Sequence, residues 1–241
     1  MTTSAQSTGC DAPLVAGWYG KMPCLGDFAH RRLAPDFIAA WDAWLQRSIA
    51  TSRQQLGDAW LDSFLTSPMW RFALTPGLCG SCAHIGVITP SVDKAGRYFP
   101  LTLALALHER DSATRAMREE SWFGELETIA LAALDVGFSI DALERRLYEH
   151  PFEQAIGDEA SDAWELTARW RNTEALPVFH FSSAQALPAA IEAAAYRVFE
   201  QTAAGLSFWW CVAPDTGASE LHVHVGLPSP DHFRTLMRSP R

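Results

Sequence analysis

The sequence predicts an α/β fold: one layered domain in which a central mixed, mostly antiparallel sheet is flanked by helices. Three observations support this prediction. Apolar residues repeat every three or four positions in some segments and every second position in others, the two patterns alternate along the chain, and no linker rich in Gly, Pro or Ser interrupts them. The chain has 241 residues, enough for one large or two small domains. Because strand patterns occur at both ends, we expect a disordered tail at residues 1–13 and a single domain over 14–241.

The first elements follow from these periods. Residues 14–19 predict a short strand. From Pro35, apolar side chains three and four positions apart predict a helix with one apolar face. A second stripe, from Leu56 to Phe64, predicts another helix, which Pro68 ends because the residue before a proline disfavours helical geometry.

The next segment changes to a period of two. Residues 83–87 and 101–107 alternate, and the second run carries Leu at every other position with Thr or Ala between. Small and apolar residues on both faces are typical of a central strand covered on both sides. The connection at residues 90–97 contains Pro, Asp and Gly, which is turn chemistry.

The second half returns to helices and then to strands. Trp122 to Ala133 predicts a helix, and Ser139 has the chemistry of an N-cap for residues 140–148. Residues 147–168 hold six acids and neither Lys nor Arg, which predicts a surface excursion. The remaining elements are a strand at 178–181, a helix at 188–202, an aromatic strand at 206–212, a last strand at 221–225 and a short helix opened by residues 229–230.

Composition restricts the classes of function. Lys and Arg number 19 against 28 Asp and Glu, so the net charge is −9, which opposes nonspecific binding to nucleic acid or to anionic membranes. The N-terminus lacks the pattern of a signal peptide, and no apolar run is long enough for a membrane span. We therefore expect a cytoplasmic protein without direct membrane insertion, whose five cysteines are reduced.

Thiol and metal chemistry are alternatives that the residues only weakly favour. Cys79 and Cys82 form a C-x-x-C motif, but a strand pattern follows it, so the helix N-terminus that activates a redox thiol is not expected. His222 and His224 lie two apart in a strand and so share a face. Structural zinc requires four closely spaced ligands, and no matching second pair of ligands occurs. We expect no metal and no cofactor.

Acid–base and nucleophilic catalysis also find little support. The chain has no G-x-S-x-G, P-loop lysine or G-x-G-x-x-G motif. Asp27 and Asp93 are single carboxylates in turns that contain glycine, where carboxylates usually accept hydrogen bonds from the local backbone. We expect no catalytic residues.

The placement of the basic residues is more informative. The chain has two lysines, Lys21 and Lys94, and each lies in a predicted loop rich in Gly, Pro and aromatic residues. Arginine beside exposed aromatic side chains is typical of protein–protein hot spots. An equally weighted alternative is that Arg32 and Arg97 pair with acids inside the fold.

These segments also carry a family resemblance. The most specific motif is GVITPSVDKAGRYFPLT at 86–102. The other matching motifs are GWYGK at 17–21, GDF at 26–28, PDF at 35–37, WDAWLQ at 41–46, LTSPMWRF at 65–72, PGLCG at 76–80, SFWW at 207–210 and GLP at 226–228. In these motifs the sequence resembles the TagF/ImpM family of bacterial type VI secretion-associated proteins, densely over residues 17–107 and more loosely over 205–238.

The resemblance implies a non-enzymatic accessory protein that restrains secretion post-translationally by binding other proteins. Its implied partners are the forkhead-associated scaffold protein of the system and the associated threonine kinase–phosphatase pathway, and its location is cytoplasmic, open to recruitment to the inner-membrane secretion complex. Two alternatives are a structural or assembly component of the machine and a thiol- or metal-dependent enzyme. We expect the loops at 21–32 and 93–98 to form the partner surface. Its predicted residues are Lys21, Asp27, Arg31, Arg32, Asp93, Lys94, Arg97 and Tyr98.

Overall fold

One antiparallel sheet lies between two layers of helices. The computed structural model describes residues 13–108, 113–153, 195–196, 198–199, 201–212, 217 and 219–238. Within them, all pairings between strands are antiparallel, so the predicted α/β class is confirmed and the sheet is more uniform than the mixed one expected. The N-terminal and C-terminal segments contribute strands to the same sheet. The boundaries of the single domain at 14–241, and of the disordered tail, stay predictions.

Most elements lie where the hydrophobic periods predict them, and the strands at residues 29–31 and 70–74 and the helix at 113–116 are additional. The strands are β1 (Gly17–Gly20), β2 (Ala29–Arg31), β3 (Trp70–Leu74), β4 (His84–Thr89), β5 (Leu101–Ala106), β6 (Leu206–Val212) and β7 (Ser219–Val225). The helices are α1 (Pro35–Leu56), α2 (Trp60–Leu65), α3 (Ala113–Ala116), α4 (Glu120–Ala132), α5 (Ile140–Glu149) and α6 (Phe233–Leu236), with a 3-10 turn at Gly57–Ala59. The strands follow the spatial order β2-β1-β5-β4-β3-β6-β7.

Several sequence predictions are confirmed in detail. The side chain of Ser139 accepts a hydrogen bond from the Ala142 backbone N–H at 3.1 Å and so caps α5. The short terminal helix begins at Phe233 rather than directly after Pro230, because one turn held by the Ser229 carbonyl precedes it. The described residues of the helix predicted at 188–202 are helical. The strand predicted at 178–181 and most of the acidic segment lie outside the described residues.

The face of the sheet under α1, α2 and α6 holds an aromatic core centred on Trp41. The Trp41 ring is fully buried and stacks parallel to Trp209, with ring centroids 5.8 Å apart, and it also contacts Phe72. Its indole N–H donates to the hydroxyl of Thr102 in β5 at 2.9 Å. Since a buried indole N–H needs an acceptor, Thr102 fixes α1 in register with the sheet.

Small residues below this core allow the rings to approach the strands. A Cβ at Gly86 would collide with the Leu103 carbonyl oxygen and would lie 2.9 Å from the Phe72 ring. Gly86 is opposite Ala104 in the β4–β5 ladder, so two residues without bulky side chains lie side by side on neighbouring strands. The Thr and Ala positions of β5 that predicted a doubly covered strand therefore face large aromatics.

The opposite face packs against α3, α4 and α5. Leu101, Leu103 and Leu105 of β5 project into this second core, as their period of two predicts. Trp209 and Trp210 face opposite sides of β6, the first fully buried and the second half-buried against Phe123. No helix in the part of the chain that the structure describes is long and apolar enough to cross a membrane.

Replacing Gly86 by alanine tests the close approach of the core to the sheet. We expect Gly86→Ala to reduce the free energy of unfolding by about 1–3 kcal/mol, because the added methyl group overpacks a fully enclosed site. Gly124→Ala is the matched control: Gly124 lies within α4 with open space around it, so the same methyl group should raise stability by about 0.5–1 kcal/mol. Urea unfolding of both variants measures the difference, and equal effects would contradict the packing described.

Candidate interaction site

Two loops leave the same end of the sheet side by side. β1 and β5 are antiparallel neighbours, and Gly20 lies opposite Leu101. The loop that follows β1, residues 21–28, therefore lies next to the loop that precedes β5, residues 90–100. Gly20 has a φ of +134°, and a Cβ there would collide with the Pro100 carbonyl oxygen, so glycine is required where the loops meet.

The buried carboxylate of Asp93 joins the two loops. Its Oδ1 accepts the backbone N–H groups of Ala95 and Arg97, both at 2.9 Å. Its Oδ2 accepts the Lys21 ammonium at 2.9 Å and the Arg97 Nε at 2.7 Å. The Lys21 and Asp93 side chains are both almost fully buried, so the ion pair is shielded from water. We call Lys21, Asp93 and Arg97 the clasp.

Further hydrogen bonds connect the same loops without using the Asp93 carboxylate. The Ser91 hydroxyl donates to the Lys21 carbonyl at 2.7 Å, and the Lys94 backbone N–H donates to the Leu25 carbonyl at 2.8 Å. The Arg97 guanidinium donates to the Gly26 carbonyl at 2.6 Å. With the clasp, these bonds make the two loops one connected unit.

The electrostatics of Asp93 follow from its four donors. Burial alone would raise the pKa of this carboxyl, but the Arg97 backbone N–H, the Lys21 ammonium and the Arg97 guanidinium together hold the pKa well below its ordinary value. Asp93 is therefore ionised at neutral pH. It neutralises charge inside the clasp and acts as a structural acceptor, the local backbone role expected for a turn carboxylate.

The outer surface of the two loops combines an aromatic ring with cations. Phe28 is 43% exposed, packs edge-on against Phe99, and has the Lys21 ammonium 4.7 Å from its ring centre. Lys94 is exposed, and its ammonium makes no hydrogen bond or ion pair with any residue that the structure describes. The Arg97 side chain is half-exposed, with the exposed Asp27 carboxylate 3.7 Å away. We call Asp27, Phe28, Lys94 and Arg97 the loop surface.

The two remaining predicted arginines belong to a separate cluster around Glu144 of α5. Arg32 donates to the Ala16 carbonyl at 2.8 Å and forms an ion pair with Glu144, and the Trp18 indole N–H donates to the same carboxylate at 2.7 Å. Arg31 lies 3.6 Å from it and stays half-exposed. Burial would raise the pKa of Glu144, but Arg32 and Trp18 lower it. Arg32, at a φ of +55°, thus holds α5 against β1.

The structure therefore divides the eight predicted residues. Lys21 and Asp93 are buried within the clasp, while Asp27, Lys94 and Arg97 lie on its outer side. Tyr98 faces α2, where its ring approaches Trp60 and Phe64 edge-on. Arg32 and Arg97 each form an ion pair with an acid of the fold, Glu144 and Asp93 respectively, and both arginines also reach the surface.

Some residues of the site were not predicted from the sequence. Phe28 belongs to the GDF motif at 26–28, but nothing in the sequence indicates that its ring is exposed. No sequence signal points to a role for Ser91, because its hydrogen bond to the Lys21 carbonyl forms only when β1 and β5 are neighbours. Glu144 could have been suspected, since it lies in the first half of an amphipathic helix, but its partners are more than 100 residues away in sequence.

The thiol and imidazole groups lie elsewhere. Cys79 is buried, and burial together with the nearby Asp36 raises the pKa of its thiol to about 12. As expected, a strand rather than a helix follows Cys82. Burial lowers the pKa of His84, which stacks on Phe37, to about 4. His222 and His224 share a face of β7, and no group of three or more metal-ligating side chains occurs among the described residues.

The fold and these loops place the protein in a known class. Residues 17–149 match the family model described as the TagF N-terminal domain, type VI secretion system-associated. The crystal structure of PA0076 from Pseudomonas aeruginosa PAO1 is similar, with 31% sequence identity and a TM-score of 0.70 over 92% of this chain and 93% of that chain. No curated protein matches. The chain belongs to the TagF family of proteins associated with type VI secretion, which confirms the resemblance.

Removing the charge of Asp93 tests the clasp. Because the folded-state pKa lies well below the ordinary value of 3.8, the ionised carboxylate stabilises the fold at neutral pH. This stabilisation begins to be lost as the pH falls below about 4, and it is lost fully only when the pH falls below the folded-state pKa. We expect Asp93→Asn to lower the Tm at pH 7 by roughly 5 °C or more, since it leaves Lys21 buried without a counter-charge. The deficit relative to wild type should shrink at pH 3.

The control for this measurement is Asp27→Asn, which removes an exposed carboxylate from the same loops. Exposed ion pairs contribute little, so its Tm should stay within about 2 °C of wild type at both pH values. A deficit for Asp93→Asn that is equally large at pH 7 and pH 3 would show that the charge of Asp93 is not what stabilises the loops.

Proposed function

We propose that this protein is a non-enzymatic accessory protein that restrains type VI secretion post-translationally by binding another protein through the loop surface. The proposed partner is the forkhead-associated scaffold protein of the system, in the pathway that includes the threonine kinase and phosphatase. The observation that carries the binding role is the clasp, which holds an exposed aromatic ring and two cations on connected loops. The identity of the partner and the direction of regulation rest on membership of the TagF family.

A connected loop pair suits binding because it lowers the entropic cost of association. A free loop must be ordered when a partner binds, and each immobilised side chain or segment reduces the affinity. Here Asp93, Ser91 and the Lys94 backbone already hold the loops together before any partner arrives. An aromatic residue beside arginine is also a common composition of interface hot spots.

The charge of the loop surface indicates the kind of partner surface that it fits. Lys94 and Arg97 outweigh Asp27 at the surface, although the whole chain carries a net charge of −9. A locally basic patch favours docking against an acidic region, and the net negative charge of the whole chain disfavours docking of that region elsewhere on its surface. We propose that the partner presents carboxylates or phosphate groups beside an apolar contact for Phe28.

The proposal of a non-enzymatic role draws on the environment of the reactive groups. The thiols of Cys79 and Cys211 are buried, and burial raises their pKa values to about 12 and about 11. Protonated thiols are poor nucleophiles. The clasp carboxylate is fully occupied by hydrogen bonds from four donors, so it is poorly suited to proton transfer.

Reversing the charge of Lys94 tests the binding role. We expect Lys94→Glu to weaken binding to the forkhead-associated scaffold protein at least tenfold, because it places a carboxylate where the partner is proposed to be acidic. The Tm should not change, since the ammonium has no partner among the described residues. Isothermal titration calorimetry with purified scaffold protein measures the affinity, and a secretion assay in the host measures the release of restraint.

Arg47→Glu supplies the matched control, because Arg47 is exposed on α1 and its side chain, like that of Lys94, makes no ion pair with a described residue. It should leave both binding and secretion unchanged. Undiminished affinity of Lys94→Glu would refute the proposed surface. If deletion of the gene abolished secretion instead of increasing it, the protein would be an assembly component of the machine rather than a restraint on it.

A further inference from the structure

In the part of the chain that the structure describes, β7 forms an edge of the sheet on the side far from the clasp. Among the described strands it pairs only with β6, and it is seven residues long. The opposite edge strand, β2, has three residues and ends at Arg31, directly before Arg32 with its positive φ. Natural edges are usually protected by brevity, proline or inward lysine. β7 contains neither proline nor lysine, and its one acidic residue is Glu220.

One face of β7 exposes a continuous apolar row. Leu221 is 57%, Val223 49% and Val225 87% exposed, although Phe208, which lies opposite Val223 in β6, is buried. The row thus extends the second core, and no described residue covers it. The other face carries Glu220, His222 and His224, which are partly buried.

The free backbone groups of β7 belong to the same residues as the apolar row. The Gly226 N–H donates to the Gly205 carbonyl at 2.7 Å, so the backbone of Gly226 points toward β6. Because the direction of backbone groups alternates along a strand, His224, His222 and Glu220 also point toward β6. The N–H and C=O groups of Leu221, Val223 and Val225 therefore point outward, away from the sheet.

The order of residues in β7 is self-complementary. When two copies of β7 run antiparallel about a two-fold axis at His222, Leu221 lies opposite Val223 of the second copy, and these two residues can exchange both backbone hydrogen bonds. The same register places Glu220 opposite His224 of the second copy. The Nε2 atom of His224 is buried and has no hydrogen-bond partner among the described residues, while one oxygen of the Glu220 carboxylate contacts His222 Nε2 of its own strand at 2.6 Å. This register brings the Glu220 carboxylate beside the imidazole of His224 as well.

We propose that two copies of this chain associate through antiparallel pairing of their β7 strands, centred on His222, to form a continuous sheet across the dimer. We choose a second copy as the occupant of the edge because one register does three things together. It covers part of the apolar row, it pairs the outward backbone groups, and it places Glu220 opposite His224. Isologous pairing of this kind closes after two copies and so forms no filament. The dimer leaves both loop surfaces free, so it is independent of the proposed scaffold binding.

The mass of the full chain in solution, measured by sedimentation velocity over roughly 1–200 μM, tests this proposal. A single strand pair is a small interface, so we expect the wild type to shift from one-chain to two-chain mass within that range. Val223→Lys should remove the two-chain species by placing a lysine beside the two-fold axis. Val136→Lys, the same change at a 77% exposed position between α4 and α5, should dimerise like the wild type.

Two further variants separate strand pairing from general loss of apolar surface. Val223→Thr keeps the outward N–H and the strand propensity, so it should still dimerise. Val223→Pro removes only an outward donor, which an edge strand tolerates, so it should fold with circular dichroism like the wild type but stay monomeric. A wild type that is monomeric throughout, as it would be if the edge serves a strand of another protein, overturns the proposal. A Val223→Lys protein that still dimerises also overturns it.

Discussion

A single buried carboxylate, that of Asp93, determines the shape of the loop end of this protein. It accepts hydrogen bonds from two backbone N–H groups and from the side chains of Lys21 and Arg97. A buried ion pair is tolerated only when hydrogen bonds satisfy the groups that water no longer reaches, and here all four donors converge on one residue. Removing the charge of Asp93 would leave Lys21 buried without a counter-charge, whereas removing either cation would still leave Asp93 with one cationic partner. The loop surface, the proposed partner site and the position of Phe28 all depend on this arrangement.

The clasp works because the sheet brings its parts together. Lys21 follows β1 and Asp93 precedes β5. These two strands are neighbours in the sheet, where β5 lies between β1 and β4. The position of β5 depends in turn on the cores of both faces: its leucines fill one, and its Thr102 anchors Trp41 in the other. The stability of the aromatic core and the geometry of the loops, which lie in different parts of the molecule, are therefore linked through one strand.

The sequence was sufficient for the fold class, for most elements and for the choice of loops, because hydrophobic period and turn chemistry are local properties. It could not distinguish a free cation from a paired one. Lys21 and Lys94 look alike in sequence, yet one is buried against Asp93 and the other is exposed, and the difference is set by contacts across about 70 residues. The same holds for Arg32, whose acidic partner Glu144 lies 112 residues away. The sequence also could not show that β7 lies at an edge of the sheet, because an alternating pattern of apolar residues occurs both in edge strands and inside a sheet.

The central claim is that Asp93 makes the two loops a single unit, and native-state amide hydrogen exchange tests it most directly. The Lys94 N–H donates to the Leu25 carbonyl and makes no contact with the Asp93 carboxylate, so its protection reports coupling rather than a lost bond. We expect the Lys94 and Arg97 amides to be protected to the same degree in the wild type and to lose protection together in Asp93→Asn. If the Lys94 amide keeps its protection when Asp93 loses its charge, the loops are held independently and the account is wrong.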